Sequence, residues 1–292
     1  MPDTQEWTAA VASYFRERQW ERAERSLREV LRASPRDAYA EFCLARTLGA
    51  QGKHAEALAS YERTLRLEPV WRWYVIQAAI ARLQAKTYLE IGVSTGENFR
   101  RIAAAVKIGI DPVAPPATLF PESVRGTSYF QMTSDAFFAS HAGVLEGRGI
   151  DVAFVDGLHT YAQTLVDVQN CLRHLNPAGV VLVHDCNPTT EAMATPARSF
   201  EEAIAGNAAG PTQAWTGDVW KAVVDLRASR ADLTVCVLDC DFGVGVVVQR
   251  SAAKLLPHSP REILRWTYHD LAARRSELLD LRPPVHLFQM IE

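Results

Sequence analysis

The sequence predicts an α/β chain, a mainly parallel sheet wrapped by helices and preceded by an all-α segment, on three observations. Short apolar runs bounded by turn residues recur at 88–91, 107–110, 128–132, 152–155 and 180–183. Helical patterns fall between most of them, as over 160–174, where Leu165, Val168 and Leu172 share one face. Continuously apolar strands alternating with helices imply a parallel sheet covered on both faces. Two further runs, 233–238 and 243–248, are separated only by residues 239–242, too short for a parallel crossover, so they form an antiparallel hairpin. The first seventy residues, by contrast, show no strand pattern and repeat internally.

Composition narrows the class. The chain has 292 residues, with 48% hydrophobic and 22% charged, which suits one large or two modest globular domains. Lys and Arg number 31 against 34 Asp and Glu, so no basic field gathers a nucleic-acid partner. No apolar run reaches the roughly 18–20 residues of a membrane span. The first thirty residues are studded with charge and show no signal peptide. Five cysteines without a CxxC pair read as thiols in a reducing cytoplasm.

The helical segment has a period. Pro35 and Pro69 lie 34 residues apart, and Ala10, Tyr14, Ala23 and Leu27 align with Leu44, Leu48, Ala57 and Tyr61. A small Ala sits where paired helices approach closely, larger apolar residues fill the seam, and a proline follows the second helix. Gly52 supplies the turn in the second unit, where the first has Gln19 and Trp20. Residues 1–69 thus resemble two tetratricopeptide units. Residues 70–85 read as a capping helix that connects them to the sheet domain of 86–250, and 251–292 as a helical extension with Ile263, Leu264, Trp266, Tyr268 and Leu271 on one side. These appendages suit a protein partner or self-association as a dimer.

Ligands of parallel sheets bind outside the carboxyl ends of the strands, and those ends are polar here. After the first strand comes Glu90, then Gly92, Ser94 and Gly96, whose glycines permit a sharp turn and a close ligand approach. The spacing is not that of a pyrophosphate cradle. Asp111 ends the next strand 19 residues after Gly92 and can accept both hydroxyls of a ribose.

The stretches YLEIGVSTGENF, IGIDP, TSDAFF, VAFVDGLHTYAQTLVDVQNCLRHLNPAGVVLVHDCNP and GDVWKA, with the terminal hairpin, resemble the class I S-adenosylmethionine-dependent methyltransferases of sugars and small hydroxylated metabolites, over about residues 86–250. The resemblance implies a Rossmann-like sheet. It places Glu90, Gly92, Ser94 and Gly96 under the methionine part of S-adenosylmethionine, Asp111 on its ribose, and Ser134 and Asp135 beside its adenine, with Asp156 also near the cofactor.

Asp156 and His159 share the turn that enters the 160–174 helix. An imidazole titrating near neutrality suits a general base for an alcohol; the structural alternative is that His159 caps the helix or bonds to backbone. Asp156, Asp185 and Asn187 offer oxygen ligands to a hard divalent cation such as magnesium. Relatives carry two adjacent carboxylates where this chain has His184 before Asp185, and His184 reads as a hydrogen-bonded neighbour. Asp218 reads as a cap of the helix that follows it. Trp215, Trp220 and the loop 188–211 read as a lid or acceptor wall, with Tyr161 either shaping the same pocket or packing in the ordinary way.

The expected activity is methyl transfer to an oxygen of a small acceptor, with His159 as base. Methylation of nitrogen and a non-catalytic cofactor-binding adaptor are the alternatives. A nicotinamide oxidoreductase fits less well.

Overall fold

In the computed structural model, which describes residues 4–115, 126–206 and 214–292, the apolar runs form strands β1 (Thr87–Ile91), β2 (Val106–Asp111), β3 (Thr127–Gln131), β4 (Ile150–Val155), β5 (Leu175–Val183), β6 (Thr234–Leu238), β7 (Val244–Val248) and a short β8 (Leu281–Arg282). They make one sheet in the order β3-β2-β1-β4-β5-β7-β6-β8. Strand β7 runs antiparallel to both β5 and β6, and the remaining pairs are parallel. The ends of β1, β2, β4, β5 and β6 therefore open on one edge.

Both faces of the central strands are apolar, and the two-residue period splits them between two cores. Val152 and Phe154 face one side with Tyr88, Val180 and Leu182. Ala153 and Val155 face the other with Leu89, Ile91, Val181 and Val183. The second core is closed by α8 (Tyr161–Arg173), α10 (Trp220–Ser229) and parts of α7 (Ser134–Ser140), α11 (Pro260–Ile263) and α12 (Tyr268–Leu279). Trp220, 1% exposed and stacked 6.5 Å from Trp266, belongs to this core, which corrects its assignment to an acceptor wall.

The first core is continuous with the N-terminal helices α1 (Thr4–Arg16), α2 (Trp20–Ala33), α3 (Ala38–Ala50), α4 (His54–Thr64) and α5 (Arg72–Leu83). Consecutive helices pack on one another. Ala23 and Ala57, 34 residues apart, are both buried where helices approach. The turns repeat as well: Arg18 (φ +54°) and Gly52 (φ +76°) take the left-handed conformation at equivalent positions, and the arginine does so at a cost of roughly 1 kcal/mol. Helix α5 lies directly on β4 and β5. The Gln77 amide fixes it to the sheet domain, donating to the Ala103 carbonyl (3.1 Å) and accepting from the Ala103 amide (2.8 Å).

The helix expected over 260–281 is interrupted. Thr267 starts α12 afresh, its amide donating to Asp270 Oδ2 (2.8 Å), and α11 stops before it. The chain then pairs as β8 and returns through α13 (Leu287–Met290), so the extension packs Leu271 and Leu278 into one core and Leu287 and Met290 into the other. Within the expected loop 188–211 a short α9 (Phe200–Ala205) forms, and residues 207–211 lie outside the described segments. No helix among the described residues is long and apolar enough to cross a membrane.

Candidate active site

At the end of β1, before α6 (Glu97–Arg101), three residues take left-handed φ: Gly92 (+85°), Ser94 (+47°) and Gly96 (+73°). A Cβ on Gly92 would lie 1.9 Å from the Asp156 carbonyl oxygen, so glycine is required for the β1 and β4 turns to touch. The Ser94 amide donates to Asp111 Oδ2 and the Val113 amide to Oδ1, both at 2.8 Å. Each carboxylate oxygen keeps a further lone pair.

Glu90 is 1% exposed and lies in the interior beneath this loop, accepting from the Tyr88 hydroxyl and from Asn98 Nδ2. Burial pushes its carboxyl up to about 8, against those hydrogen bonds. Ser134 turns inward and donates to Asp167 Oδ1 (2.6 Å), whereas Asp135 is exposed and accepts from Gln163 (3.2 Å).

The other half of the edge gathers charge. Asp156 follows β4, and Asp185, in the left-handed region (φ +61°), follows β5. His159 lies between them, with Nε2 3.4 Å from Asp156 Oδ1 and Nδ1 3.2 Å from Asp185 Oδ2. Its Nδ1 is also 2.8 Å from the Trp215 carbonyl, an acceptor, so Nδ1 carries hydrogen and Nε2 is the nitrogen that can give up or take a proton. Gly217 permits this contact, since a Cβ there would lie 1.8 Å from the His159 carbonyl oxygen. Burial disfavours the charged imidazole, but Asp185 and Asp156 outweigh it and hold His159 up at about 9.

His184 Nδ1 lies 3.2 Å from Asp156 Oδ1 and 3.3 Å from Asp185 Oδ1. Burial works against its charge too, and the same two carboxylates overcome it, holding the imidazole well above its usual range. Burial raises the Asp156 carboxyl, yet His184 and His159 prevail and keep it well below the usual carboxylate range.

Behind His184 stands Asp241, in the turn after β6, with Oδ2 3.8 Å from His184 Nε2. It is fixed by α5, since the Arg72 amide (2.8 Å) and Nη1 (3.0 Å) both donate to that oxygen. Arg72 Nε, buried without a hydrogen bond, points its charge toward Asp156 Oδ2 at 4.0 Å.

Ligand atoms of Asp156, His184 and Asp185 all lie within 4.8 Å of one another, a spacing that one divalent cation can bridge. His184, read from the sequence as a hydrogen-bonded neighbour, is the third member of this cluster. The Asn187 amide is used elsewhere: Oδ1 accepts from Arg275 of α12, and Nδ2 donates to Asp239 (3.1 Å). Asp218 caps a different helix from the one expected, accepting from the Tyr161 amide at the start of α8 (2.7 Å). Tyr161 is buried, with its hydroxyl bonded to Asp225 of α10, and so lies outside the pocket.

Arg72 and Asp241 escaped the sequence reading. Arginine inside the apolar VWRWYVIQAA run was the available signal for one, and the polar turn of the terminal hairpin for the other.

Residues 89–186, roughly a third of the chain, match the model of a family described as a methyltransferase domain. The segment runs from β1 through both aspartate turns, and a methyltransferase domain there supports S-adenosylmethionine-dependent methyl transfer. Among solved structures, cofactor-bound Rv0187 from MTB aligns at 13% identity over 68% of this chain and 91% of its own, with a TM-score of 0.44. The O-methyltransferase TomG from Streptomyces achromogenes, in complex with SAM, aligns at 16% identity over 68% and 90%, with a TM-score of 0.40. MycE, in complex with Mg, SAH and mycinamycin VI, aligns at 14% identity over 72% of this chain and 62% of its own, with a TM-score of 0.40. No curated protein matches the chain.

Proposed function

We propose that the enzyme methylates a hydroxyl oxygen of a sugar or similar small metabolite, with His159 as general base. The observation that carries this reading is the convergence of His159 on Asp156 and Asp185 at one end of the sheet, next to the glycine loop. Bound S-adenosylmethionine supplies a methyl group already activated by its sulfonium, so the protein has chiefly to align acceptor and donor. The β1 turn offers amides and a close backbone approach, with free lone pairs of Asp111 toward the ribose hydroxyls and Asp135 on the open side of the third strand end.

His159 must be neutral to accept the acceptor's proton at Nε2. With Asp156 and Asp185 uncompensated, it is held protonated near 9. Asp156, His184 and Asp185 would hold a divalent cation, which by compensating these carboxylates would remove the cause of the shift. An imidazole beside two carboxylates suits manganese or zinc at least as well as magnesium. Asp241 and Arg72 orient His184 from behind, as second-layer carboxylates orient ligating imidazoles.

The 34-residue period of α1 to α4 supports a tetratricopeptide-like segment over 1–69, with 70–85 as its connection, 86–250 as the transferase and 251–292 as an extension. Self-association or a protein partner belongs to that segment.

The test is turnover of a hydroxylated acceptor panel after EDTA treatment and metal add-back. Loss with EDTA and recovery with manganese or magnesium supports the cation-assisted oxygen mechanism. Full activity in EDTA, or product methylated at nitrogen, overturns it.

A further inference from the structure

We propose that the N-terminal helical segment carries a second ligand site, for a small amphipathic carboxylic acid. A cavity of ≈ 460 Å³ lies among α1, α3, α4 and α5, within the size range of small-molecule sites. Its walls are largely apolar, with Phe15, Trp20, Ala57 and Ile80 among them and His54, Gln77 and Gln84 as polar members, and among the described residues no carboxylate lines it. Arg46 is the lining residue with a permanent charge.

The state of Arg46 makes the site selective. The guanidinium is half-buried, stacked 5.5 Å from the Phe15 ring and 5.8 Å from the Phe42 ring. Among the described residues it has neither an ion pair nor a hydrogen bond. Aromatic rings engage the faces of a guanidinium and leave its in-plane N–H donors free. Tyr61 lines the same cavity; it is 3% exposed, and its hydroxyl makes no hydrogen bond among the described residues. A half-buried guanidinium with free in-plane donors and a hydroxyl without a protein acceptor both offer hydrogen bonds to the cavity, and a carboxylate has oxygens for each. The apolar walls then take a hydrocarbon or aryl chain attached to it. The small volume and the largely apolar walls favour a free acid over the terminus of a polypeptide, which offers the same carboxylate but brings peptide groups that such walls leave unpartnered.

The test uses the full-length chain and sodium octanoate as probe, with octan-1-ol and octylamine as controls, followed by calorimetry and by emission from Trp20 in the cavity wall. Octanoate is expected to bind about ten- to a hundredfold more tightly than octanol, the effect of a charged hydrogen-bonded pair, and octylamine to bind weakest. Arg46→Met should bring octanoate down to the level of octanol with helical circular dichroism unchanged, while Arg46→Lys keeps part of the preference. A peptide N-acetyl-Ala-Ala-Leu-Leu with a free carboxyl should fail to displace octanoate.

Equal binding of octanoate and octanol to the unaltered chain overturns the proposal, and that comparison depends on no variant folding. Absence of octanoate binding up to about 10 mM, undiminished binding to Arg46→Met, or binding of the peptide in place of octanoate does the same.

Discussion

The two halves of the sheet's open edge are built from different materials. Over β1 and β2, the polar geometry is made by backbone: three left-handed residues, and an aspartate held by two amides. Glu90, buried there with only neutral hydrogen-bond partners, has its carboxyl pushed up to about 8 by burial. Over β4, β5 and β6, side chains do the work, with Asp156, Asp185 and Asp241 interleaved with His159, His184 and Arg72. A backbone-built surface presents fixed dipoles suited to holding a ligand. A side-chain-built cluster has protons to exchange and charges that a bound ion or acceptor can replace. In the proposed reading, the first half holds the methyl donor and the second handles the proton.

The largest effect that separates the halves is on turnover. His159→Ala should lower kcat by about 10²–10⁴-fold, the usual worth of a general base, while leaving affinity for S-adenosylhomocysteine nearly intact. Equal loss of both would erase the proposed division of labour.

Two structural variants come next. Gly92→Ala forces a Cβ onto the Asp156 carbonyl at 1.9 Å and into a left-handed φ, and chemical denaturation should show a loss of at least about 3 kcal/mol. Arg72→Met leaves the buried Asp241 with His184 at 3.8 Å as its remaining cationic partner, and a similar loss of about 3 kcal/mol is expected in the same assay. If Arg72→Met is neutral, the helical segment does not buttress the charged half.

Asp111→Ala should weaken binding of S-adenosylhomocysteine about ten- to a hundredfold by calorimetry, with acceptor affinity unaffected. Undiminished binding removes Asp111 from the ribose.

The smallest effect concerns pH. Because Glu90 binds its proton more tightly folded than unfolded, its contribution is present below about 4.5 and is lost as pH rises toward 8. The slope is at most about 1.4 kcal/mol per pH unit. Glu90→Gln should flatten that part of the stability profile, and an unchanged slope would mean that the carboxyl is already ionised.

The contrast also explains what was legible in the sequence. Strands announce themselves by local apolar runs, and Gly92 and Gly96 by the backbone they permit, so the fold and the donor half could be read from short windows. The Asp156–His159 spacing was readable for the same reason. The charged half draws Arg72 from a helix and Asp241 from a distant turn, and only the sheet order brings them to His184. Asn187 looked like a ligand because of its neighbours, but Arg275, 88 positions away, claims its oxygen. Trp220 looked like an acceptor wall because it sits near a polar turn, yet burial against Trp266 makes it core.

The most direct measurement is a crystal structure with S-adenosylhomocysteine and manganese. It should show the nucleoside along β1 and β2, and the sulfur facing His159 Nε2, with room between them for one acceptor oxygen at a near-attack distance of about 3–3.5 Å from the transferred methyl. Density for the nucleoside elsewhere, with His159 on the opposite side of the sheet from the sulfur, would contradict it.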